Sequence, residues 1–205
     1  MQMDWIFQLV FLAIVVVVVG LGIYFFSPLR GAKKEKHKPL PQDEHNGADI
    51  VLRQLKRYAA TNEYKVIAPV AIEGTRHTAD LDALLVGWFG ILGVKCLGYG
   101  GTVYGQAKDE QWVQEVNGNR RTFENPLMRA QKSAQAIRDV LFAAKVKNIP
   151  VETIVVFTGK KTELALPRST GHYTLDQFTS YLKSTRFEED KKVEVEPVAA
   201  LFEKK

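Results

Sequence analysis

The hydrophobic positions of this chain open without any periodicity and only later settle into helical and strand spacing. Residues 5–26 are an unbroken run of twenty-two residues without a charge, dense in Val, Ile, Leu and Phe. As a helix the run would be about 33 Å long at about 1.5 Å per residue. That is enough to cross the roughly 30 Å hydrocarbon core of a bilayer, and a transmembrane helix is predicted here. Further on, Ala48, Val51, Leu52, Leu55, Tyr58 and Ala59 share one helical face, with Arg53, Lys56 and Arg57 opposite. This spacing predicts an amphipathic helix with Asp49 near its N-terminus.

Strand signals follow. Residues 64–72 are rich in β-branched side chains, 81–86 and 89–97 are apolar runs around Gly87-Trp88, and 102–104 is a short strand after glycines. Asn117-Gly118-Asn119 predicts a hairpin turn between residues 112–116 and 121–123. A second helix is expected to start at Asn125-Pro126-Leu127 and to run on through Ala130, Ala134, Ile137, Val140 and Leu141 to about residue 147. Residues 151–158 read as a buried strand, and 174–183 as a last helix whose apolar positions are Leu175, Phe178, Tyr181 and Leu182. This order predicts an α/β fold, a mixed β-sheet flanked by helices, behind one N-terminal transmembrane helix.

Charge alters the picture mainly at the N-terminal end. The 205-residue chain carries a net +5, but residues 30–38 alone hold five Lys/Arg against Glu35, whereas residues 39–205 are only +2. The basic excess is therefore juxtamembrane, where attraction to anionic headgroups accounts for it without nucleic acid. Trp5 and Tyr24-Phe25-Phe26 sit at the ends of the apolar run, and the sole charge before it is Asp4. By the positive-inside rule the N-terminus is expected outside the cell membrane and the remainder in the cytoplasm. A cleaved signal peptide would show a basic start, a shorter apolar core and a small-residue cleavage site, unlike this segment. Cys96 is the lone cysteine, which excludes a disulfide framework and suits a reducing compartment. The expected organisation is an anchor at 1–29, a basic and polar linker at 30–46, a domain at 47–185 and a charged tail at 186–205.

Chemistry-bearing residues are sparse. His37, His45, His77 and His172 lack the spacing of a zinc site or a catalytic triad. Gly98-Tyr99-Gly100-Gly101 lacks the Gly-Lys-Ser/Thr ending of a phosphate loop and reads as turn glycines. Arg120, Arg121, Arg129 and Lys132 form a candidate basic patch for nucleic-acid phosphates, although a solvated helix surface would account for them equally.

Several segments together carry a resemblance. They are Asp49 on the early helix, Leu81-Asp82-Ala83-Leu84-Leu85-Val86, Gly90-Ile91-Leu92-Gly93-Val94, Gly101-Thr102-Val103-Tyr104-Gly105, Trp112, Phe123-Glu124-Asn125-Pro126-Leu127 and Val155-Val156-Phe157. In their order and spacing over residues 47–160 the chain resembles the nuclease-related domain (NERD) family, which is similar to the restriction-endonuclease-like PD-(D/E)xK nucleases. The resemblance implies two carboxylates on adjacent strands holding Mg²⁺, with a nearby lysine orienting or activating the attacking water. Asp82 then stands as catalytic residue and metal ligand, and Asp49 as a second metal ligand.

Where that family has Glu-x-Lys, counting back from Gly101 reaches Lys95-Cys96-Leu97. An ammonium group has no lone pair to offer a metal while protonated. If Lys95 is taken instead as the family lysine, Gly93 falls on the glutamate position, and either alignment loses the second carboxylate. Asp80 and Glu73 are the candidate substitutes. Two readings follow. In one, a membrane-anchored nuclease fold has lost catalysis and serves as a nucleic-acid or protein binding module with no resident cofactor. In the other, a divergent Mg²⁺-dependent nuclease uses Asp82 with Asp49, Asp80 or Glu73 and keeps Lys95 in the lysine role.

Overall fold

A computed structural model describes residues 9–18, 47–159, 161–167 and 171–203. The chain divides into two units, Met1–Lys38 and Pro39–Lys205. In the first, residues 9–18 are helical (α1) and their side chains are exposed. The remainder of the expected 5–26 span lies outside the described residues, as does the whole of the 30–46 linker. Among the described residues, no helix is long and apolar enough to cross a membrane.

The second unit is a mixed α/β structure. Helix α2 (Ala48–Asn62) forms on the expected face, with Val51, Leu55 and Ala59 buried. The 64–72 stretch is divided at Pro69 into β1 (Lys65–Ile67) and β2 (Val70–Glu73), since proline has no N–H to continue a ladder. Next come β3 (Thr78–Leu81), β4 (Ala83–Gly87), β5 (Gly90–Leu97) and β6 (Thr102–Tyr104). The hairpin of β7 (Gln111–Val116) and β8 (Asn119–Glu124) turns at Asn117 and Gly118, both at positive φ. Helix α3 (Pro126–Ala143) and β9 (Val151–Phe157) lead to the short strands β10 (Glu163–Ala165) and β11 (His172–Thr174), which the apolar pattern does not announce. Helix α4 (Leu175–Leu182) opens with a reciprocal capping box between Thr174 and Gln177.

The central sheet has the order β1-β4-β5-β9-β11, beside a four-stranded sheet β10-β6-β7-β8 and the β2-β3 ribbon. Pairing is antiparallel from β1 to β5 and parallel from β5 through β9 to β11. Side chains alternate across the central sheet. Leu85, Leu92, Val94, Cys96, Ile154 and Val156 pack with α2 and α4, while Leu84, Val86 and Ile91 pack with Ile137 and Leu141 of α3.

The last segment departs from expectation. Residues 186–205, predicted from their charge as a tail, carry α5 (Val195–Ala200). They place Val193, Val198, Ala199 and Phe202 in the α3-side core, and Phe187 is buried in the core on the α2 side. Val195, Val198, Ala199 and Phe202 do carry the i, i+3, i+4, i+7 spacing of a helix, a signal that the tail reading passes over in favour of the surrounding charge.

Candidate functional site

The β4-β5 hairpin sets the geometry. Ladder pairing runs from Gly87↔Gly90 to Ala83↔Val94, and Asp82 stands one residue past its end. Its backbone N–H donates to Val94 O at 3.0 Å, and its Oδ2 accepts from the Cys96 N–H at 2.6 Å. The carboxylate thus takes the place of the next ladder carbonyl, a structural task that explains an acid at the edge of an apolar run.

Because side chains alternate along β5, Cys96 enters the α2-side core, while Lys95 and Leu97 both line a cavity on the α3 side. Lys95 is partly covered, and its Nζ lies 3.0 Å from Asp80 Oδ2 and 3.6 Å from Asp82 Oδ1. One ammonium group therefore bridges two carboxylates at the place where the resemblance asks for a metal. Gly93 faces the same side, and a Cβ there would lie 2.9 Å from Leu81 Cδ1 and 3.0 Å from Thr153 Cγ2. A glutamate side chain at that position would have to push Leu81 and Thr153 aside.

The cavity holds about 220 Å³. Besides Asp80, Lys95 and Leu97 it is lined by Tyr99 and Phe123, whose rings meet edge to face at 4.9 Å, and by Arg129 and Lys132 of α3. Arg129 Nε lies 3.9 Å from Glu124 Oε2 across the mouth. The four expected basic residues are therefore separated: Arg129 and Lys132 reach the cavity, while Arg120 is bonded to Glu115 at 2.7 Å on the β7-β8 hairpin. Arg121 pairs across the hairpin with Gln114, on the strand face shared with Phe123. Asp49 is exposed on the first turn of α2, which packs on the opposite face of the sheet from Lys95. Glu73 is exposed on β2, beside Thr78.

Other motif residues turn out to hold the scaffold. Asn125 is fully buried. It caps α3 by accepting from Leu127 N at 2.9 Å, and its amide donates to the carbonyls of Ala107 at 3.1 Å and Asp109 at 2.7 Å. Trp112 donates to Gln106 O at 2.8 Å and stacks on Phe157. A Cβ at Gly105 would strike its ring. Burial, and next the Asp82 carboxylate, push the Cys96 thiol up to about 12, so it is no thiolate nucleophile at neutral pH.

The donor set does not fit magnesium as it stands. Mg²⁺ wants near-octahedral oxygen ligands, whereas Asp82 has one oxygen committed to a backbone N–H and the other facing an amine. Among the described residues, no group of three His, Cys, Asp or Glu side chains is placed to hold a metal ion.

No curated protein and no solved structure matches the chain. A family model described as nuclease-related domain matches residues 43–158, from the segment before α2 to the end of β9. That span includes the hairpin, the cavity and the Asn125 clamp, and the chain belongs to the nuclease-related domain family.

Proposed function

We propose that this protein is a membrane-anchored member of the nuclease-related domain family whose restriction-endonuclease-like domain has lost metal-dependent hydrolysis. It serves as a nucleic-acid binding module at the cytoplasmic face of the cell membrane. The observation that carries this reading is the Lys95 ammonium bound to Asp80 and Asp82. A fixed ammonium at that spot brings half the charge of a divalent ion, leaves the two carboxylates at net −1 and activates no water, so attraction for a phosphodiester must come from the other cations of the cavity. Arg129 and Lys132 add positive charge to the same cavity, and Tyr99 and Phe123 offer ring surface for a base. The anchor reading draws on the uncharged 5–26 run and the five cations that follow it.

A second reading has one observation in its favour. Asp80 and Asp82 converge on a single point, so a swing of Lys95 would leave two carboxylates facing each other for Mg²⁺. The deciding experiment uses the full-length protein in detergent micelles with single- and double-stranded DNA and RNA, in Mg²⁺ or Mn²⁺, beside Asp82→Ala. The expected result is binding that weakens steeply with salt and no metal-dependent cleavage. Cleavage abolished by Asp82→Ala would establish the second reading. No binding at low salt would point instead to a protein partner.

A further inference from the structure

The Lys95 cavity is uneven in charge. On its β3 and β5 side one ammonium faces the two carboxylates of Asp80 and Asp82, a net −1. On its α3 side stand Arg129 and Lys132, and Glu124 offsets Arg129 only across 3.9 Å of solvent-screened surface. Arg121 adds a cation on β8, two residues before Phe123 on the same strand face. Among the described residues, Arg121 and Lys132 form no salt bridge. One row of phosphates is therefore attracted beside the cavity, while a second row opposite it would meet the excess carboxylate.

Between the two sides the wall is apolar. Leu97, Tyr99 and Phe123 line it, all three half-buried. The Tyr99 and Phe123 rings meet edge to face, an arrangement that a third aromatic ring can join. Volume decides how much can enter. About 220 Å³ falls below the roughly 300–1,000 Å³ of pockets that hold drug-sized molecules, so one planar ring system fits and a base pair does not. Inside a duplex the bases are stacked and paired, and a pocket reaches a single base only where it is unpaired or flipped out.

Resting on the nucleic-acid reading given above, we propose that the protein selects single-stranded nucleic acid. One unpaired base lies in the cavity against Tyr99 and Phe123, and the neighbouring phosphates of the same strand lie on Arg121, Arg129 and Lys132. A duplex fails on both counts: its bases are not free to enter, and its second phosphate row faces Asp80 and Asp82.

Fluorescence anisotropy of the full-length protein in detergent micelles tests this with four labelled probes of equal length: a DNA strand, the RNA strand of the same sequence, the DNA annealed to its complement, and a DNA strand whose sugars carry no bases. A base-bearing single strand is expected to bind about tenfold or more tighter than the duplex and than the base-free strand, the size of stacking one base on an aromatic ring. Either the DNA or the RNA strand doing so supports the inference, and the tighter of the two names the source of the base. Phe123→Leu keeps an apolar side chain without the ring and should bring the single strands down to the affinity of the duplex. Lys132→Gln should weaken all four probes and flatten their salt dependence, because it removes only a phosphate contact. A duplex or a base-free strand bound as tightly as the base-bearing strands would overturn the inference and leave the nucleic-acid reading standing. No binding of any probe at low salt would remove that reading and the inference with it.

Discussion

At the scale of single residues, Lys95 decides what the hairpin can do. Its Nζ holds two carboxylates, one of them 75% exposed, so the contacts are worth at most about 1 kcal/mol each in solvent-screened surroundings. Stability is therefore a weak reason for a lysine there, and the charge it sets is the larger consequence. Lys95→Glu combined with Leu97→Lys would write Glu-x-Lys on the cavity-lining positions of β5. Without metal, that double variant clusters three carboxylates and should lose about 1 kcal/mol. With Mn²⁺ at about ten times its dissociation constant it should regain about 1.4 kcal/mol, which denaturant unfolding with and without the ion reads directly. A variant as stable as the parent and indifferent to Mn²⁺ would show that the hairpin no longer has the frame of a metal site. Asp82 is legible in the sequence through the motif that carries the family resemblance, as the one acid within the apolar run 81–86. Its bond to the Cys96 N–H is not, because only the end of the ladder at Ala83 creates the need for that acceptor.

At the scale of elements, the structure ties the β2-β3 ribbon to α3 through a group that no motif announced. Asp139 is nearly buried on α3, with Oδ2 3.0 Å from His77 Nδ1 and 3.1 Å from Arg76 N, and Oδ1 3.3 Å from Arg76 Nη2. The His77 contact first, and the Arg76 N–H and guanidinium after it, hold the Asp139 carboxyl below the usual carboxylate range. A folded-state value below the unfolded one favours folding when the group is ionised. That contribution is complete above the ordinary carboxyl value of about 3.9 and disappears as pH falls through the lower folded value. Asp139→Asn should accordingly be less stable than the parent at neutral pH, with the gap closing below about pH 4. Urea midpoints measured across that range provide the check, and a gap of constant size would assign the loss to packing instead of charge. Long elements such as α2, β5, α3 and β9 follow from periodicity because many positions repeat the same signal. The three-residue strands β10 and β11 do not, since their place beside β6 and β9 comes from tertiary pairing. His77 illustrates the same limit: isolated in sequence, it meets its carboxylate 62 residues away.

At the scale of the whole molecule, the family span stops at residue 158, yet the folded unit does not. β11 extends the central sheet and α4 covers its α2-side face, while α5 with Val193 and Phe202 closes the core on the α3 side. Lys65 and Glu196 meet at 3.0 Å on the surface beside α5, a pair too exposed to fix the segment. Apolar burial must do so. Val193, Val198 and Phe202 are each at least nine-tenths buried, and burying such side chains contributes roughly 1.5–3 kcal/mol apiece. Together they approach the whole net stability of an ordinary domain, about 5–15 kcal/mol. Ending the chain at Glu188 should therefore leave the domain largely unfolded, while Val198→Ala alone should cost about 1–2 kcal/mol and keep the fold. Circular dichroism melts of the two variants against the full chain measure both effects. Superimposed melts for the truncated and full chains would mean that the charged segment only rests on a core complete without it; cooperative melting lost on truncation would make the last turn of chain a structural part of the domain it closes.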